Sequence, residues 1–309
     1  MLTLDSVSPR VQSEQRRYPS PAAVLELLKP VTWFPPMWAF ACGVVSSGVS
    51  MENRWWMLAV GIALTGPISC GGSQAVNDWF DRDVDAINEP RRPIPSGRVP
   101  GVWGLVIALT WSALTIAVGA LFGTAGLIAT CLAVALSWAY SAPPLRLKAD
   151  GWFGNAAVGL SYEGLSWITG AVVMLGAWPN ERIVLLALLY SVGAHGIMTL
   201  NDFKSIDGDR QLGVYSLPVQ LGAERAAKLA CIVIMLPQLI ALGMLLFAWH
   251  RPIHAAVLMV LLVIQYLMMP TFLRSPVQKA LWYSGFGVPV SVLGMMVCAH
   301  AVRTMGGAA

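Results

Sequence analysis

The sequence predicts an all-α membrane protein: a bundle of nine transmembrane helices, N-terminus cytoplasmic and C-terminus periplasmic. Three observations carry this. Hydrophobic types make up 56% of the 309 residues and charged types only 12%, with a mean hydropathy of +0.64. An average soluble domain carries about 25% charged residues, so this chain cannot coat a folded surface with polar groups. Ordinary soluble domains, disordered chains and nucleic-acid-binding domains are thereby excluded. Second, nine stretches approach the roughly 20 apolar residues that cross a bilayer, without the short alternating segments of a membrane barrel. Third, if all nine cross, 16 of the 20 Lys+Arg fall on one side. That side is cytoplasmic by the positive-inside bias.

The elements follow in order. Residues 1–25 read as a mobile cytoplasmic tail, and Asp5 and Glu14 rule out a cleavable signal. Ala22 to Leu28 forms an amphipathic approach to a single domain over 26–305. The predicted spans are 31–50, 56–76, 102–121, 124–141, 152–176, 182–200, 227–248, 253–272 and 282–302. All five cysteines (Cys42, Cys70, Cys131, Cys231, Cys298) fall inside spans, form no Cys-x-x-Cys pair and read as small packing residues.

Seven of the 16 acidic residues gather in two segments. Asn77-Asp78-Trp79-Phe80-Asp81-Arg82-Asp83-Val84-Asp85 follows the second span, and Asn201-Asp202-Phe203-Lys204-Ser205-Ile206-Asp207-Gly208-Asp209 follows the sixth. Both read Asn-Asp-aromatic, then polar positions, then Asp-x-Asp. This short repeat at equivalent helix ends suggests two half-sites facing one cavity. At about 100° per residue, Asp78, Asp81 and Asp85 share a stripe while Asp83 points away. If the second helix also continues, Asp202 and Asp209 share its stripe, with Ser205 between them; Gly208 weakens that assumption.

Carboxylates on one stripe repel unless cations neutralise them. Hard oxygen donors suit Mg²⁺, which keeps waters and shares substrate phosphates. Arg91 and Arg92 follow the first cluster, Lys148 ends a Pro-Pro-Leu-Arg-Leu-Lys loop, and Lys204 and Arg210 flank the second cluster. Carboxylates beside such bases are what a metal–diphosphate requires. A secondary transporter is disfavoured because the carboxylates sit at helix ends, away from mid-membrane.

Asn77-Asp78-x-x-Asp81-x-x-x-Asp85 with Arg92-Pro93-Ile94-Pro95-Ser96-Gly97 resembles the first motif of the UbiA superfamily of intramembrane prenyltransferases. Tyr140-Ser141-x-Pro143-Pro144-x-x-Leu147-Lys148 and the second cluster match it in order. Pro30-Val31-Thr32-Trp33-Phe34-Pro35-Pro36, Tyr162-Glu163-Gly164-Leu165 and Gly193 to Lys204 are similar to its chlorophyll and bacteriochlorophyll synthase branch. The resemblance implies a UbiA-type bundle in the bacterial inner or intracytoplasmic membrane, its site opening to the cytoplasm. The implied reaction esterifies the C17 propionate of bacteriochlorophyllide with geranylgeranyl or phytyl diphosphate. Chlorophyllide, a quinone precursor or haem are alternative acceptors. Association with other pigment-biosynthesis or photosystem-assembly proteins is also expected.

On that resemblance Asp78, Asp81, Asp85, Asp202 and Asp209 hold Mg²⁺, with Asp207 a further candidate. Asn77, Arg91, Arg92, Lys148, Lys204 and Arg210 would meet the diphosphate. Many relatives carry an acid where this chain has Ser205. Asn77 and Asn201 suit either hydrogen bonds to the metal-holding carboxylates or helix capping. Tyr140 suits either an allylic cation facing its ring or an ordinary interfacial site. Glu163, alone inside the fifth span, and His195, seven residues before Asp202, are candidate chlorin contacts. A buried, satisfied histidine is the stronger reading of His195.

Overall fold

The computed structural model describes residues 17–306. Apart from one isolated β-bridge between Asp150 and Tyr215, its regular structure is helical. Among the described residues, eight helices are long and apolar enough to cross a membrane. The first predicted span, 31–50, is shorter in the structure: a 13-residue helix, α2, over Phe34–Ser46. Pro30, Pro35 and Pro36 delay its start, because proline in a first turn is tolerated but blocks continuation backwards.

Ahead of it, α1 spans Pro21–Leu27, capped by Ser20, whose Oγ accepts from the Ala23 N–H at 3.2 Å. The expected boundary of the tail at residue 25 therefore falls inside a helix. Ala23 and Leu27 are buried against Val76 and Ile107, which orders this segment. Residues 1–16 of the expected tail lie outside the described residues.

The remaining elements are α3 (Trp55–Asn88), α4 (Trp103–Ala120), α5 (Gly123–Ser141), α6 (Gly151–Leu175) and α7 (Glu181–Asp202). Two short helices follow, α8 (Ile206–Leu212) and α9 (Leu217–Leu221). Then come α10 (Ala223–Ala248), α11 (Pro252–Arg274) and α12 (Pro276–Arg303). Neighbours in sequence pack side by side, and α12 returns onto α2 to close the ring. Small residues set the closest approach. A Cβ on Gly43 of α2 would strike the Trp167 carbonyl of α6, and one on Gly170 would strike the Phe40 carbonyl.

Among the described residues, three of the long helices contain a widened, π-type turn: Leu64–Cys70 in α3, Leu160–Leu165 in α6 and Met244–Ala248 at the end of α10. Pro67 explains the first, because it lacks an N–H and crowds the carbonyl four residues back. Its own carbonyl accepts from Trp111 Nε1 at 3.1 Å. In the second, Ser166 Oγ donates to the Ser161 carbonyl at 3.2 Å, satisfying an acceptor in the wide turn.

Candidate active site

Helix α3 runs unbroken to Asn88, so the predicted stripe is realised. Asp78 and Asp85 are 1% and 6% exposed, whereas the Asp83 side chain is 87% exposed. Cations close on the stripe. Lys29 Nζ donates to Asp78 Oδ1 at 2.6 Å. Arg92 Nη1 donates to Asp85 Oδ2 at 2.8 Å and to Asp78 Oδ1 at 3.4 Å. Lys148 Nζ donates to Asp81 Oδ2 at 2.6 Å, and Arg146 stands 3.6 Å from Asp81 Oδ1.

Burial pushes the Lys148 ammonium below the ordinary lysine value, against the pull of Asp81. The hydrogen bond from Arg92 holds the Glu89 carboxyl below the usual glutamate range. Lys29 and Arg146 both hold left-handed backbone, at φ 47° and 37°. Non-glycine residues pay strain there, and each of these two brings a cation onto a cluster aspartate.

The second cluster corrects the expected shared stripe. Helix α7 ends at Asp202, and α8 starts only at Ile206. Asp202 and Asp209 therefore lie on different helices. The break is not at Gly208, which sits within α8, but at the turn through Ser205. There the Ser205 N–H donates to the Asp202 carbonyl at 3.1 Å. Ser205 Oγ also donates to the Asp209 Oδ2 at 2.9 Å, tying the two helices together. Phe203, 2% exposed with its ring centroid 5.7 Å from that of Phe272, anchors the corner.

Three predicted residues stay outside this arrangement. Asp207 and Arg210, with side chains 90% and 64% exposed, pair with each other at 3.5 Å on the outer face of α8. Arg91 is exposed, and its carbonyl accepts from Arg98 Nη2 at 2.6 Å. Of the two adjacent arginines, only Arg92 turns inward.

A cavity of about 560 Å³ reaches the start of both segments, with Asn77, Tyr140, Asn201 and Lys204 on its wall, while the aspartates themselves lie off its lining. Tyr140 stands within electrostatic reach of Asp202, Asp81 and Asp209. Glu163 also lines the cavity. His195 is not on its lining; the ring lies 5.7 Å from that of Trp152, a residue 42% exposed.

Sequence reasoning missed three neighbours of the aspartates. Lys29 and Arg146 passed as positive-inside charges. Asn155, 4% exposed on α6, donates from Nδ2 to Thr199 Oγ1 at 3.3 Å and Asp202 Oδ2 at 3.4 Å. Its signal was an amide inside an apolar run, where an unpaired polar group is costly.

Among the described residues, no three His, Cys, Asp or Glu side chains converge as a metal cage. Mg²⁺ does not require one: it typically takes one or two carboxylates, waters and substrate phosphates. The donor set fits that mode. Asp78 Oδ2 is buried without a hydrogen-bond partner, a donor atom left open beside Asp85.

Two aspartate-bearing helix ends, with Asn77 and Asn201 beside them on one cavity wall, are the arrangement expected of an intramembrane prenyltransferase. Residues 30–297 match the UbiA prenyltransferase family, and the chain belongs to it. It is 54% identical over 292 residues to the bacteriochlorophyll synthase 33 kDa chain of Rhodobacter capsulatus, covering 94% of this chain and 96% of that one. Identity to the chloroplastic chlorophyll synthase of Oryza sativa subsp. japonica is 41%, over 90% of this chain and 76% of that one. A UbiA homolog from Archaeoglobus fulgidus, solved with GPP and Mg²⁺, shares the fold at a TM-score of 0.71. It is 20% identical, covering 91% of this chain and 99% of that one.

Proposed function

We propose that this chain is a Mg²⁺-dependent prenyltransferase that esterifies the C17 propionate of bacteriochlorophyllide with geranylgeranyl or phytyl diphosphate. The observation that carries the acceptor is the 54% identity, spread over nearly the whole length, to a bacteriochlorophyll synthase. Identity to the plant chlorophyll synthase is lower, at 41%.

The residues explain how such a reaction proceeds. Asp78, Asp81 and Asp85, with Asp202 and Asp209 opposite, would hold Mg²⁺. When bound, the metal neutralises charge on the diphosphate leaving group. Arg92, Lys148 and Lys29 already neutralise the aspartates and are positioned to take the remaining phosphate oxygens. Lys204 and Asn77, on the cavity wall, face the same space. The acceptor propionate is a carboxylate at neutral pH. Its oxygen attacks the allylic carbon, the carbon–oxygen bond to diphosphate breaks, and the electron pair leaves with diphosphate. No protein nucleophile is needed. The chain supplies positioning, charge stabilisation and exclusion of water from the allylic cation. Tyr140 offers its ring to that cation from the cavity wall. In this reading the chain crosses the bacterial inner membrane nine times, with α2 as the short first crossing and the site opening to the cytoplasm.

The test supplies the purified, reconstituted chain with Mg²⁺, geranylgeranyl diphosphate and one of three acceptors: bacteriochlorophyllide, chlorophyllide or a hydroxybenzoate. Mass analysis should find the bacteriochlorophyllide ester as the main product. Prenylated hydroxybenzoate without any pigment ester would overturn the acceptor assignment.

A further inference from the structure

The two wide turns of α3 and α6 open onto the same cavity. Wide turns of this kind recur at functional sites because they turn side chains out of register. Here they bring polar groups to an otherwise apolar chamber. Tyr162 Oη accepts from Gln74 Nε2 at 3.1 Å and Cys70 Sγ at 3.2 Å, so its oxygen is held in place. Next to it, Glu163 is 6% exposed, lines the cavity and has no hydrogen-bond or ion-pair partner among the described residues. The facing wall of α5 carries Ala129, Ala133 and Leu136 beside Ser137, Tyr140 and Thr130, whose hydroxyl donates back to the Gly126 carbonyl.

An apolar prenyl tail gains nothing from an unpartnered carboxyl group and finds its apolar match in Ala129, Ala133 and Leu136 of α5. A buried ionisable group at membrane depth is costly and calls for a ligand. The site described above lies toward one end of α6, where Asn155 touches Asp202. Glu163 stands eight residues further along, about 12 Å at 1.5 Å per residue. That interval suits a flat macrocycle whose propionate arm reaches the diphosphate while its centre lies level with Glu163. The centre of such a ring carries Mg²⁺, a hard cation with open axial positions that takes oxygen donors.

We propose that Glu163 is the axial ligand to the magnesium of the acceptor macrocycle, and that the α3 and α6 wide turns form the face against which the ring lies. This rests on the proposed pigment acceptor. It assigns the polar wall to the ring and leaves the α5 wall to the tail.

The test uses the full chain in lipid nanodiscs, titrated with bacteriochlorophyllide and with its magnesium-free analogue. Binding of geranylgeranyl diphosphate with Mg²⁺ serves as the control for folding. Wild type should bind the magnesium pigment roughly ten- to a hundredfold more tightly than the metal-free one. Glu163→Leu should abolish that preference while prenyl diphosphate binding persists, and Glu163→His, a different axial ligand, should restore it. A preference retained in Glu163→Leu would overturn the assignment. So would a preference restored by Glu163→Gln and not by His, since that pattern marks a hydrogen bond instead of ligation. A wild type that binds prenyl diphosphate and neither pigment would overturn the pigment acceptor itself, and the ligand assignment with it.

Discussion

At the scale of the residue, the site is an exercise in charge pairing. Three buried or half-buried aspartates are tolerable on one helix only because Lys29, Arg92 and Lys148 meet them at 2.6 to 2.8 Å. The same pairing separates two adjacent arginines. Arg92→Ala should lower kcat/KM by about 10²–10³-fold, the scale of one lost transition-state donor. Arg91→Ala, removing an outward side chain, should leave steady-state turnover close to wild type. A second pairing lies outside the site. Arg98 grips Glu26 of α1, with Arg98 Nη2 donating to Oε1 at 2.7 Å. That hydrogen bond lowers the Glu26 pKa below 4.5, its ordinary value. A depressed carboxyl pKa stabilises the fold at higher pH, and the contribution is lost as pH falls through the folded-state value. Protection of the α1 amides over Pro21–Leu27, corrected for intrinsic exchange, should therefore fall as pH drops through the acid range, and Glu26→Gln should flatten that dependence.

At the scale of the element, sequence reasoning succeeded where periodicity was continuous and failed where a single residue broke it. The α3 stripe was legible because nothing interrupts the helix between Gly71 and Asn88. The matching stripe after α7 was not, because a turn through Ser205 ends the helix at Asp202. Local hydroxyl bonding of that kind competes with a helix without changing the hydrophobic pattern. The wide turns were likewise invisible, since a π-type turn alters hydrogen bonding and leaves composition unchanged. Close helix contacts were only hinted at by the many glycines. Gly43→Ala and Gly170→Ala should each place a methyl group against a backbone carbonyl of the neighbouring helix. Overpacking of this sort costs about 1–3 kcal/mol. Thermal unfolding in detergent should show both variants clearly less stable than wild type, and Gly285→Ala, with open space around it, much less affected.

At the scale of the whole molecule, the bundle follows from scarcity of charge. With 12% charged residues, the helices bury backbone polarity internally and present apolar sides outward, so positions of the few charges carry most of the functional information. The two aspartate segments were legible as a repeat, and the asparagines that open both segments line one cavity because helices α3 and α7 face a common interior. The counter-charges were legible only in part. Lys29 and Arg146 are distant in sequence from the aspartates they meet, and no local pattern distinguishes them from topology-setting bases. The central claim is that both clusters serve one bound metal–diphosphate. A double-mutant cycle tests it most directly: turnover of Asp81→Ala, Asp202→Ala and the double variant, each with Mg²⁺-dependent binding of geranylgeranyl diphosphate. Residues acting as one unit are strongly non-additive, so each single variant should lose nearly all turnover and the double variant should be little worse than either. Full activity in one single variant, or additive losses in the double, would contradict a shared site.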